Sequence, residues 1–109
     1  MELDYDDHIK LEDMCSQSDY VIGVINKATE DMADAEVCIN LAIASHDIKD
    51  SLAWKKQVIA LMKVDDKYKL EYIKYTNSKT IISVNRGLLR ALETRINCLK
   101  KKISTTPTI

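Results

Sequence analysis

Between Val21 and Ala42 the positions Val21, Ile25, Ala28, Met32, Ala35, Ile39 and Ala42 follow one another at alternating steps of four and three residues. That repeat lines side chains along one seam of an α-helix. Lys27, Glu30, Asp31, Asp34, Glu36 and Asn40 fall between them and make the solvated face. Ala28, Ala35 and Ala42 recur at every seventh residue, and small side chains on a seam let a neighbouring helix approach closely.

The pattern stops at Ser45-His46-Asp47-Ile48-Lys49-Asp50-Ser51, a run of residues whose short polar side chains favour turns and helix caps. A turn is expected there, with Asp47 or Asp50 capping a second helix that starts near Ser51. In that helix Trp54, Val58, Leu61, Tyr68, Tyr72 and Tyr75 share a seven-residue repeat, interrupted where Asp65 takes the seam position. Thr76-Asn77-Ser78-Lys79 reads as a hinge or helix restart, because Asn and Ser serve helix ends better than interiors. The β-branched run Thr80-Ile81-Ile82-Ser83-Val84 has the composition of a short strand but no evident partner strand.

The last seam is the most regular. Ile82, Asn85, Leu89, Leu92, Ile96, Leu99 and Ile103 alternate as a and d positions. Ile at a with Leu at d suits a two-stranded parallel coiled coil in which Asn85 fixes register. A seam of this length, roughly 37 Å over about 25 residues, serves equally well for packing against the first helix of the same chain.

Two glycines and one proline in 109 residues leave little turn chemistry for a sheet. The expected fold is therefore all-α: a long-helix hairpin or three-helix bundle with coiled-coil-like seams, oligomeric, and a single helical domain over 1–109. Residues 1–15 are expected to be an acidic, frayed N-terminus and residues 104–109 a flexible tail. Elongated helices in so short a chain need partners to enclose a core, hence the expected homo-oligomer.

Charge divides the chain. Residues 1–54 carry a net charge of −10 and residues 55–109 a net charge of +9, which leaves −1 overall. Such an asymmetry fits either a basic surface for a polyanion or complementary pairing of the two halves, within or between chains. Cys15, Cys38 and Cys98 form no CxxC pair, and their odd number suits a reducing compartment; they read as small buried apolar groups. The start MELDYDDHIK is unlike a secretion signal. No uncharged run approaches the roughly 18 residues of a membrane span. The expected location is the cytoplasm, that of the host if the chain is viral, with no membrane contact.

The residues offer little to catalysis. His8 lies beside Asp4, Asp6 and Asp7, without the glycine turn or spacing of a calcium loop, and reads as solvated. His46 falls in the turn, and neither histidine has a zinc-like neighbour. There is no Gly-rich phosphate loop and no serine in a His/Asp setting. No enzyme, metal or cofactor is expected.

Binding chemistry is concentrated after residue 54. Lys55, Lys56, Lys63, Lys67, Lys69 and Lys74 alternate with Trp54, Tyr68 and Tyr72. Cations neutralise phosphates and rings stack on unpaired bases, a mixture used for single strands. The alternative is that the aromatics are an inner seam and the lysines merely flank it. Arg86, Arg90 and Arg95 add planar forks suited to phosphate or carboxylate, with Lys100, Lys101 and Lys102 beyond them.

An Ala-spaced acidic helix, then a Lys/Tyr-rich helix, then Asn85-Arg86-Gly87-Leu88-Leu89-Arg90-Ala91-Leu92-Glu93-Thr94-Arg95-Ile96: in this layout residues 20–103 resemble the small helical recombination mediator proteins of tailed phages, the UvsY-like group. The resemblance implies rings or bundles of subunits, single-stranded DNA on the basic helices and a recombinase as protein partner. It assigns no individual site residue. Two functions follow as expectations. One is an oligomeric accessory protein that binds single-stranded nucleic acid, of the recombination-mediator kind. The other is a protein-interaction module, a coiled-coil adaptor or a small phage-type inhibitor of a host protein, that binds no nucleic acid.

Overall fold

The computed structural model describes residues 2–105, with side chains from 6 to 104. The described chain holds three α-helices and no strand: α1 (Glu2–Ser45), α2 (Trp54–Val64) and α3 (Tyr68–Thr105). The all-α expectation stands. The chain divides into two compact units, one of Met1–Asn26 with Ser83–Ile109 and the other Lys27–Ile82; they are called unit 1 and unit 2 below.

Unit 2 gathers the end of α1, all of α2 and the start of α3. Its core is Ile39, Ala42, Ile43, Val58 and Leu61, with Ile48, Trp54, Met62, Tyr68 and Tyr72 packed against it. Every seam alanine of α1 is buried, and Ala35 has no exposed surface.

The turn after α1 follows from one backbone conformation. Asp47 adopts φ 55°, the left-handed geometry that ends helices at the residue past the C-cap. The Ile48 N–H reaches the Ile43 carbonyl at 3.2 Å and the Asp47 N–H reaches Ala44 at 3.4 Å. These are the two bonds of a Schellman motif, and Ile48 completes it by packing on the core that contains Ile43. Asp47 thus ends α1 and does not cap α2, as the sequence had suggested. Nor does Asp50: α2 starts at Trp54, three residues later than expected, after Ala53, and has no side-chain cap. The loop is strapped by Gln57, whose side-chain amide donates to the Lys49 carbonyl at 3.1 Å.

The helix expected to run through Tyr75 breaks at Asp65. The Asp65 N–H closes α2 on Leu61 at 2.8 Å, and its own backbone is extended. Its carboxylate accepts the Lys67 N–H at 3.3 Å and so starts the turn into α3. The seam interruption at this position is therefore a helix boundary.

In contrast, Thr76–Lys79 is no hinge and Thr80–Val84 no strand, since both lie within α3. The hydroxyls of Thr76 and Thr80 donate to the carbonyls of Ile73 and Thr76, at 3.0 and 3.1 Å. Such back-bonding satisfies a hydroxyl without leaving the helix.

Unit 1 is an antiparallel pair made of the first half of α1 and the last part of α3. Asp7 meets Lys102 at 3.2 Å, Met14 lies with Arg95 and Cys98, and Tyr20 and Val21 lie with Leu88 and Leu92. The Ile/Leu seam faces α1 of the same chain here, with Leu92 and Ile96 buried. Two sequence expectations change. Residues 2–15 are helical and not frayed, and Asp7 is only 4% exposed. Ser104 and Thr105 belong to α3, while 106–109 of the expected tail lie outside the described residues. Cys15 and Cys38 are half-buried, but Cys98 is exposed.

Candidate nucleic-acid interface

The aromatic candidates are positioned by unit 2's own packing. Trp54 opens α2, and its indole N–H donates to the Asn40 side-chain oxygen at 2.7 Å, so Asn40 is not simply part of a solvated face. Its ring stands 4.9 Å from Tyr75 and 6.2 Å from Tyr72, and Tyr72 and Tyr75 stack at 6.3 Å. Tyr68 meets His46 edge-on at 6.2 Å, with the Lys67 ammonium 5.1 Å above its ring. Tilted and edge-on pairs at 4.5–7 Å are the favoured aromatic geometries. Trp54, Tyr68 and Tyr72 are half-buried and already in contact with other rings. Tyr75, which has no place among the stacking candidates, is an equal member of the cluster; its position on the seven-residue repeat was the signal for it.

The cations lie outside this packing. Lys56 and Lys63, seven residues apart on α2, are exposed, and Val58 and Leu61 occupy the helix's buried side. Lys55 and Lys74 are exposed as well. None of these four enters an ion pair among the described residues.

Lys67 and Lys69 differ, because each has a local carboxylate. Lys67 lies 3.6 Å from Asp65 and Lys69 3.8 Å from Asp66. Asp65 also lies 4.0 Å from the His46 ring. The Lys67 pKa is raised above the ordinary lysine value, first by its charge interaction with Tyr68 and then by that with Asp65.

In unit 1, Arg86 and Arg90 are one helical turn apart, exposed and without an ion pair among the described residues. Arg95 lines a different flank, a groove with Asp7, Lys10, Met14 and Cys98. Lys55, Lys56, Lys63, Lys67, Lys69 and Lys74 thus belong to unit 2 and the three arginines to unit 1.

Among the described residues no three His, Cys, Asp or Glu side chains come together to hold a metal, and no helix is long and apolar enough to cross a membrane. No family model, curated protein or solved structure matches the chain.

Proposed function

We propose that this chain is an oligomeric, non-catalytic accessory protein that binds single-stranded nucleic acid through its lysine-bearing helices, in the manner of a phage-type recombination mediator. One observation carries the reading. Lys55, Lys56, Lys63, Lys74, Arg86 and Arg90 are exposed and have no ion pair among the described residues, although the first half of the chain carries thirteen acids. Cations left unneutralised within the chain favour an external polyanion.

The structural surroundings alter which residues should do the work. Trp54 and Tyr72 are engaged in core packing, so the affinity rests on charge, with stacking secondary. Lys67 and Lys69 are partly compensated by Asp65 and Asp66, so Lys56 and Lys63 are the better pair to test.

The expected result is binding of a fluorescent single-stranded oligonucleotide that weakens steeply between about 50 and 200 mM salt, with a log–log slope of about −0.7 per phosphate contacted. Lys56→Glu with Lys63→Glu should lower the affinity and flatten that slope. Absence of binding at the lower salt would leave the protein-interaction reading, which the exposed apolar side chains of α3 favour independently.

A further inference from the structure

Unit 1 has a feature that its two helices leave unused. Beside the seam runs a groove whose floor includes Val21 and Leu92 and whose sides include Gln17, Tyr20 and Leu88. Tyr20 is 74% exposed, Leu88 49%, and Val84, one turn before Leu88, 64%. Val84, Leu88 and Ala91 recur at steps of four and three, a second apolar stripe on α3 next to the one that faces α1. Two helices alone do not enclose a core. Met14, Cys15, Leu89 and Leu99, all on or beside the inner seam, remain only half-buried.

The charges of the two helices say what could cover the groove. Unit 1's part of α1 contains Glu2, Asp4, Asp6, Asp7, Glu12, Asp13 and Asp19 against Lys10, and its part of α3 contains Arg86, Arg90, Arg95 and Lys100 to Lys102 against Glu93. A fitting occupant presents an apolar stripe, places a basic helix beside α1 and places an acidic helix beside α3. A second copy of unit 1 meets all three conditions.

We propose that two copies of this chain close their unit 1 grooves on each other around a two-fold axis parallel to the helices. Each α1 then lies between the α3 of its own chain and the α3 of the other, so acidic and basic helices alternate around four positions and all neighbours are antiparallel. Tyr20 of each copy covers Leu88 of the other, as a two-fold interface requires. The reverse arrangement, α1 on α1, sets acid against acid and is disfavoured.

The inference rests on the self-association part of the proposed function and not on its nucleic-acid part. Size-exclusion chromatography with light scattering on the full chain tests it. The wild type should run at twice the 12.4 kDa chain mass. Tyr20→Glu with Leu88→Glu should give the single-chain mass with helicity retained, because both side chains are exposed in the isolated chain.

With the native cysteines replaced by serine, an equimolar mixture of the Tyr20→Cys protein and the Leu88→Cys protein should yield a disulfide-linked dimer of one chain of each under mild oxidation, a bond that can form only between chains. A wild-type monomer would assign the groove to another occupant and overturn the proposal. So would a larger assembly, or a dimer indifferent to the double substitution. Oligonucleotide binding measured on an uncharged Tyr20→Ser, Leu88→Ser variant reads the other half separately, because it adds no charge beside Arg86 and Arg90 and leaves Lys56 and Lys63 untouched.

Discussion

Asp47 shows how much can turn on one residue. It holds a left-handed conformation that glycine adopts without a Cβ penalty. Asp47→Gly should therefore raise stability by about 0.5–1 kcal/mol, less whatever glycine adds to unfolded-chain entropy. Asp47→Val should lower it by more than about 1 kcal/mol, because a β-branched residue is a true outlier there. Urea denaturation of both variants checks this; a glycine variant less stable than wild type would show that the Asp side chain has a role of its own. The turn at 45–51 was legible from composition, but its mechanism was not. Asp serves both caps and left-handed positions, and the choice depends on Ile48 packing on the core that contains Ile43, which spacing alone does not specify.

The helix seams were the most readable elements, since burial of one face imposes the three-four repeat on sequence and structure alike. Val21, Ala28, Ala35, Ile39 and Ala42 are all buried, as are Ile82, Leu92 and Ile96. Boundaries were less readable. Asn77 and Ser78 have weak helix propensity, yet a long helix packed along its length outweighs a few tenths of a kcal/mol per residue. Asp65 decides the real break because it acts on the backbone at both helix ends. Removing its carboxylate in Asp65→Ala should cost about 1 kcal/mol, as for other lost caps, and should loosen Lys67 and His46. Thermal unfolding followed by circular dichroism reads the first effect, and an unchanged midpoint would deny Asp65 a capping role. The candidate site was legible as a set of cations. Which rings were already packed depended on contacts between elements distant in sequence, such as Trp54 with Asn40, whereas the carboxylates that compensate Lys67 and Lys69 are their sequence neighbours Asp65 and Asp66.

Taken whole, the molecule distributes its core unevenly. Unit 2 buries Ala28, Ala35, Ile39, Ala42, Ile43, Val58, Leu61 and Ile82. Unit 1 buries Val21, Leu92 and Ile96 among its apolar side chains, together with the Asp7 carboxylate against Lys102. Local opening free energies follow buried apolar contacts. In the isolated chain, amides near residues 10–20 and 95–103 should then exchange about tenfold faster or more than those near 35–43 and 58–61. Pairing of unit 1 with a second copy would reverse part of that difference, because an interface closing the groove protects the same amides in proportion to its occupancy. Hydrogen exchange at two protein concentrations separates the cases. Protection of unit 1 should rise with concentration in the wild type and stay constant in the Tyr20→Glu, Leu88→Glu variant, with unit 2 indifferent throughout. Equal exchange in both units at high dilution would mean that the two-helix pair is stable alone and has no need of a partner to complete its core.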